Sequence, residues 1–343
     1  MPLLGYSSET NLDIGGEVLG FDAIDRHRYL LGVTYNTAIQ APDIFALYSN
    51  RSWGPTLNIS ADFLTNGIIP VANLTYYRRQ ADLAATVTFP IPGTYSSLIP
   101  SLSFNLQRAF AYQLDKNTQN TQLLALTSFY ASVDGMLSYS NQETSPLSVT
   151  SESGRFSQIG ARLYLLPEGQ VLKGLLVDRE FIKLAHHTIL SPSLKASMVS
   201  STTETVSSAN SILIGRLPQL ANAFPASGLN YLSIRGYPGQ PFGAKTALVA
   251  ALDLTFPLAR IFRGWGTNQI FLENLYGFTF IEGSYLSNLN EGLFLPSFGG
   301  GVKLSTEALT IPLVFSLEYD QGLNSNFKGT QDLFFQISGS VPF

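Results

Sequence analysis

The chain has 343 residues, of which 45% are hydrophobic and only 13% charged, well below the roughly 25% charged of an ordinary soluble domain. Its 20 Lys and Arg against 24 Asp and Glu leave a net charge of −4, so no basic surface is available for nucleic acid. The absence of Cys excludes zinc ribbons, thiol catalysis and disulfide staples, and no apolar stretch reaches the about 18 residues that a membrane-crossing helix needs.

The start, Met1-Pro2-Leu3-Leu4-Gly5-Tyr6, has neither the basic region nor the long apolar region of a signal peptide, and residues 1–14 read as a lead-in. From there the dominant pattern is period-2 alternation. Tyr29, Leu31, Val33 and Tyr35 alternate with Arg28, Gly32, Thr34 and Asn36, with Leu30 as an apolar intruder on the second row. Leu57, Ile59, Ala61 and Phe63 alternate with Asn58, Ser60 and Asp62. Leu83, Ala85, Val87 and Phe89 oppose Ala84, Thr86 and Thr88; Leu102, Phe104 and Leu106 oppose Ser103, Asn105 and Gln107. The second half continues with Ile159 to Leu165, Leu248 to Leu258, Phe298 to Leu304 and Leu313 to Tyr319. Turn-rich polar segments at 115–120, 141–153 and 200–210 read as loops between strands. No composition break divides the chain, which predicts one all-β domain over residues 1–343.

A soluble sandwich alternates too, so the chemistry of the polar row decides which face meets what. Strands facing water draw on Lys, Glu and Arg, whereas this row is mostly Ser, Thr, Asn, Gln and Gly. Transmembrane barrels put the apolar row against lipid and the polar row inside. The 16 Tyr and 23 Phe suit interfacial aromatic girdles. At about 20 residues per strand with its loop, the length predicts an antiparallel transmembrane barrel of about 16 strands. The chain ends inside a strand, with Phe343, Val341, Gly339, Ile337, Phe335 and Leu333 on one face. Pro342 cannot donate to a ladder there.

Residues Leu232 to Gly243 read Leu-Ser-Ile-Arg-Gly-Tyr-Pro-Gly-Gln-Pro-Phe-Gly and precede the alternating strand that carries Asp253 and Phe256-Pro257. This combination resembles the bacterial surface antigen superfamily of outer-membrane barrels, the BamA- and TamA-like assembly factors and two-partner secretion translocators among them. Its signature is an Arg-Gly-Phe/Tyr tripeptide on a long loop folded into the lumen, here Arg235, Gly236 and Tyr237 within 217–245. A strand with an inward acidic residue follows, here Asp253. The family's further acidic position, in an aromatic-x-Asp-x-Gly pattern, falls on Phe271-Leu272-Glu273, with Glu for Asp and Leu275 where Gly is expected. The terminal Gly339, Val341 and Phe343 resemble the family's carboxyl-terminal assembly signal. Residues Gly20 to Arg28 and Trp53 to Leu57 resemble the variant in which the barrel follows a TolB-like β-propeller.

The residues also support a physical reading of the motif. A guanidinium in a wet lumen forks onto a carboxylate through two charge-assisted hydrogen bonds, and Asp253 falls on the polar row by parity. Gly236 permits close backbone approach, and Pro238-Gly239 favours a type II turn. The three histidines, His27, His186 and His187, do not converge in a strand pattern, so no metal or cofactor is expected. Without G-x-S-x-G, Walker A or G-x-G-x-x-G, no enzyme is expected. Gly15, Gly16 and Gly20 near the first strand, with Gly339 and Pro342 in the last, predict a weak seam. The resemblance implies a monomeric bacterial outer-membrane barrel in lipid that inserts outer-membrane proteins or translocates polypeptide. Its partners are then unfolded outer-membrane protein clients or a secreted polypeptide. The alternative is a passive pore or a membrane anchor for a periplasmic or surface domain.

Overall fold

In the computed structural model the described residues are 2–7, 11–37, 39–71, 74–115, 120–126, 130–144, 150–166, 169–185, 187–201, 212–214, 231–232, 234–237, 242–264, 270–287, 292–308, 311–324 and 331–339. They form 16 antiparallel strands in one sheet, each hydrogen-bonded to its sequence neighbours. In chain order these are β1 (Pro2–Ser7), β2 (Asn11–Phe21), β3 (His27–Asn36), β4 (Ala41–Asn50), β5 (Thr56–Val71), β6 (Leu74–Thr88) and β7 (Ser97–Asp115). Next, β8 comprises two segments, Asn120–Leu126 and Tyr130–Ser140, that run along the same flank of β7. Then come β9 (Gly154–Leu166), β10 (Gly169–Ala185), β11 (Thr188–Ser201), β12 (Thr246–Gly264), β13 (Ile270–Ser287), β14 (Gly292–Ala308), β15 (Ile311–Gly322) and β16 (Gln331–Gly339). Residues 1–14 are therefore not a lead-in: they hold β1 and the first residues of β2.

The alternation drives this sheet with its faces inverted relative to a soluble protein. On β3, Tyr29, Leu31, Val33 and Tyr35 are exposed while Leu30, Thr34 and Asn36 are buried. The same holds around the sheet: Leu83, Phe104, Ile159, Leu172, Leu248 and Ile281 point outward, whereas Ser103, Asn105, Ser132, Asp134, Arg162, Lys173, Ser191 and Ser284 are buried. A wide apolar band outside and a polar lining inside is the arrangement that hydrocarbon, not water, would reward. Leu30 breaks the inner polar row because it packs on Phe45, whose ring lies so close to Gly32, its register partner, that a Cβ there would sit 2.0 Å from it. Among the described residues no helix is long and apolar enough to cross a membrane, which says nothing of strands.

Long strands are tied by long ladders. β12 and β13 pair from Thr246↔Ser287 to Arg263↔Leu272 and Gly264↔Phe271, with two register shifts. The first and last strands are joined differently: β1 pairs with β16 only at Leu4↔Ile337, Gly5↔Gln336 and Tyr6↔Phe335 among the described residues. The start of β1, the end of β16 and the 22–26 and 51–55 turns lie at one end of the sheet; the end of β11 and the start of β12 lie at the other. The segments Gly20 to Arg28 and Trp53 to Leu57 accordingly form strand ends and turns at the end of the sheet where β1 starts and β16 stops.

Candidate functional site: a motif loop bound to the inner wall

Between the end of β11 at Ser201 and the start of β12 at Thr246 the described residues include a small sheet. Ile212–Ile214 pairs in parallel with Tyr231–Leu232 and antiparallel with Phe242–Ala244. Next to it, Ile234 and Tyr237 are buried in the largest apolar cluster, with Tyr164, Val171, Leu175, Val199, Ala247, Val249, Leu286 and Leu295 of the wall from β9 to β14. Those wall residues sit near the strand ends where the connection enters, so the loop descends against an apolar patch of the inner wall.

Between Ile234 and Tyr237 the chain turns, and each residue of the tripeptide has its own anchor. Arg235 Nη1 donates to Asp253 Oδ1 at 2.7 Å, and Arg235 Nε donates to Glu282 Oε2 at 3.1 Å. The backbone N–H of Arg235 donates to the other Glu282 oxygen at 2.9 Å. Its guanidinium lies 3.6 Å from the centroid of the Phe280 ring, a cation–π contact in a desolvated setting. The register explains why two carboxylates meet one arginine: Asp253 faces Phe280 and Ala251 faces Glu282, so the two acids are diagonal neighbours on the inner face of β12 and β13. Arg179 of β10 approaches the second Asp253 oxygen at 3.4 Å. All three ionised groups of the loop contact are largely withdrawn from solvent, Glu282 most of all at 3% side-chain exposure.

Gly236 has φ +77°, in the left-handed region, and a Cβ there would lie 2.9 Å from Gly322 N and 3.0 Å from both Gln321 C and Ser297 Cβ. The close approach lets Tyr237 reach past β15. Its hydroxyl donates to Pro296 O at 2.6 Å and accepts from the backbone N–H groups of Leu323 and Asn324 at 3.1 and 3.0 Å. The tripeptide thereby ties β12, β13, β14 and the end of β15 together from inside.

Arg235 and Asp253, expected to pair, are in contact. Glu273 is not part of this contact: it accepts from Ser305 Oγ, beside a register shift between Leu272 and Asn274. The second acid on Arg235 is Glu282, in Phe280-Ile281-Glu282, nine residues farther along the same strand and about 30 Å away at strand rise. A better sequence signal existed, since that tripeptide also has the aromatic-x-acid spacing and sits where the hairpin with β12 brings it opposite Asp253. Pro238-Gly239, Val341 and Phe343 lie outside the described residues; Gly339 closes β16 opposite Leu313.

A second ionic cluster, unsignalled by any sequence motif, stands on the neighbouring wall. Arg162 of β9 is fully buried and forks onto Asp134 of β8, its register partner, with the Nε–Oδ1 bond at 2.6 Å. Asn105 donates to Asp134 at 2.9 Å, and Arg162 Nη1 donates to the Tyr164 hydroxyl at 3.2 Å. Lys173 of β10 lies 5.1 Å from the Tyr164 ring centroid. At the other end of the sheet, outside the strand ladder, Glu152 accepts from Lys183 and pairs with His187, which holds a φ of +65°. Burial pushes the Glu152 carboxyl up, but the Lys183 and His187 contacts outweigh it and hold the group below the usual carboxylate range. Among the described residues of these clusters, no nucleophile, base and oxyanion donor are ordered together.

By sequence, no protein-family model and no curated protein matches the chain. Solved structures match in three dimensions, and three of them share the fold over nearly the whole chain. BamA from Haemophilus ducreyi lacking POTRA domains 1–3 superposes over 99% of this chain and 69% of its own, at a TM-score of 0.63 and 15% identity. CdiB from Acinetobacter baumannii covers 98% of this chain at a TM-score of 0.64 and 10% identity, and CdiB from Escherichia coli 98% at 0.68 and 10%. The chain has the BamA and CdiB barrel fold. It spans 58% and 62% of the two CdiB chains, so those proteins contain more than this BamA/CdiB-type barrel. At such low identity the likeness rests on strand number and path, which places the buried Arg235 contact inside a barrel of that type.

Proposed function

We propose that this chain is a bacterial outer-membrane barrel of the BamA- and TamA-like superfamily that handles polypeptide, either inserting outer-membrane proteins or translocating a chain. The observation that carries the reading is the seam: among the described residues three residue pairs join β1 to β16, where the ladder between β12 and β13 runs nearly the full length of both strands. A short seam can part sideways and offer unpaired backbone groups to a client strand, which the apolar exterior and bilayer would otherwise forbid. The Arg235 contact complements it, since a loop pinned to β12, β13 and β14 keeps the opposite wall rigid while the seam moves. The fold shared with BamA and CdiB and the outward apolar band support the membrane setting.

The chain has no Cys, so a designed disulfide is unambiguous. Tyr6→Cys with Phe335→Cys places two thiols on directly opposite seam residues. In proteoliposomes the reduced variant should speed the membrane insertion of an unfolded outer-membrane protein over empty liposomes, and the oxidised variant should not. Equal acceleration in both redox states overturns the seam reading. No acceleration by the unmodified chain, together with a steady ion conductance, identifies a passive pore instead.

A further inference from the structure

At the end of the sheet where β1 starts, two neighbouring turns are knitted into one rigid body. Residues 22–26 join β2 to β3, and residues 51–55 join β4 to β5. The backbone N–H of Arg51 donates to Arg26 O at 2.7 Å, and Arg28 forks onto Asp25, which Arg51 also approaches at 3.7 Å. His27 N donates to Asp22 Oδ1 at 2.8 Å, while the His27 ring meets the Tyr48 hydroxyl at 2.7 Å and Ser52 Oγ at 3.4 Å. Asp25 is held at a φ of +55°, a left-handed conformation that few residues other than glycine adopt. The tips of this well-tied body are nevertheless apolar. Ile24 and Trp53 are each 65% exposed, and on the next turn at the same end, between β6 and β7, Tyr95 is 84% exposed.

The outward rows of β3 and β4 show where these tips stand. Leu31 and Ala46, then Tyr29 and Tyr48, then His27 and Asn50 are register partners in order toward the turns. Aliphatic, phenolic and then polar side chains follow the order that a bilayer interface imposes. The exposed apolar row of β3 runs from Tyr29 to Tyr35. That is about 20 Å along the strand and, at a tilt of about 40°, about 15 Å along the barrel axis. The apolar band of such barrels is about 25 Å tall, so about 10 Å is left to be made up beyond the row. Shared equally between the two ends, this sets His27 at the hydrocarbon boundary and the turn tips in the headgroup layer. Indole, phenol and aliphatic groups are favoured in that layer and disfavoured as a cluster in water. Arg26, two residues from Ile24, is exposed and makes no ion pair among the described residues, which suits a neighbouring lipid phosphate.

We propose that the turns carrying Ile24, Trp53 and Tyr95 are an anchor that inserts into the phospholipid headgroup layer at the end of the barrel where β1 starts. The patch continues the outward apolar band, so lipid is its occupant. This inference rests on the membrane-barrel reading and adds to it. Because β2 is the neighbour of the seam strand β1, the anchor fixes the depth of the wall on one side of the seam.

Trp53 and Trp265 are the two tryptophans of the chain, so Trp265→Phe leaves Trp53 as the sole indole reporter, with Trp265→Tyr in its place if that variant does not fold. The full chain is folded into phosphatidylcholine vesicles containing lipid with a nitroxide on the headgroup or lipid brominated near the end of the acyl chain. Trp53 emission should be lost mainly to the headgroup nitroxide and should be protected from iodide present on both sides of the vesicle. A control that combines Trp53→Phe, Trp265→Phe and Leu31→Trp reports the outward row, and its emission should be lost mainly to the bromine. Quenching of Trp53 by iodide but not by either lipid, with the control quenched by bromine, overturns the anchor and leaves the membrane reading intact. That pattern belongs to a tip held in water, where a protein partner would dock. Quenching of neither variant by lipid overturns both readings.

Discussion

Arg235→Ala tests whether the tripeptide holds the loop to the wall. The change removes the 2.7 Å bond to Asp253, the 3.1 Å bond to Glu282 and the ring contact with Phe280. Hydrogen bonds to charged groups contribute about 1.5–3 kcal/mol each, and a desolvated cation–π contact about 2 kcal/mol. The full sum does not appear as a loss, because Asp253 keeps Arg179 at 3.4 Å and Glu282 keeps the residue 235 backbone N–H at 2.9 Å. Breaking a buried ion pair from one side costs about 3–5 kcal/mol, and with these residual partners the lower end applies, about 3 kcal/mol. At about 1.4 kcal/mol per decade the open-loop population should rise about a hundredfold. Initial rates of trypsin cleavage at Arg216 or Lys245 in detergent-folded protein, under conditions where reclosing outpaces cleavage, read that population directly. Glu282→Gln, which preserves an acceptor for the backbone N–H, should raise the rate by about tenfold only. A cleavage rate within about threefold of the unmodified chain in Arg235→Ala would refute the argument that this contact restrains the loop.

Three further outcomes follow from other parts of the molecule. Gly236→Ala places a Cβ 2.9 Å from Gly322 N at a φ of +77°, so it should open the loop at a cost of about 1–3 kcal/mol, read by the same protease assay. Leu31→Arg, on the outward row in the middle of β3, should cost about 2–4 kcal/mol in folding into lipid vesicles, while Thr34→Ser on the inner row should be nearly silent, as measured by urea titration of the folded fraction. Glu152 has a folded pKa below its unfolded value of about 4.3, so its contribution is fully present above that pH and is lost as pH falls through the lower folded value. Hydrogen exchange in the 141–153 connection should therefore quicken beyond its intrinsic pH dependence below about pH 4, and Glu152→Gln should abolish that acid sensitivity.

Much of the fold was legible in local pattern because a lipid-facing strand obeys a rule that one residue at a time can show. Tyr29, Leu31, Val33 and Tyr35 face out because hydrocarbon accepts them, and Thr34 and Asn36 face in because it does not. Parity alone also put Asp253 on the polar row, while the meeting with Arg235 was implied by the resemblance of the motif. The misplacement of the second acid shows where such reading stops. Glu273 and Glu282 both follow an aromatic residue by two positions, and the choice between them depends on register across β12, β13 and β14, which includes shifts at Pro257/Ala259, Arg260/Arg263 and Leu272/Asn274. Side-chain spelling carries no information about those shifts.

The sequence by itself determined the inverted alternation, the all-β class and the approximate strand number, because each follows from period-2 geometry; the pairing of Arg235 with Asp253 was implied by the family resemblance of the motif, with parity placing Asp253 on the polar row. Only the tertiary structure decided that Glu282 completes the arginine's contact and that Tyr237 bonds to Pro296, Leu323 and Asn324. It alone placed Asp134 against Arg162. These groups lie far apart along the chain and meet only when the sheet's curvature and register carry distant strands to one inner surface. The length of the seam is likewise a property of pairing between the two ends of the chain, which no local pattern specifies.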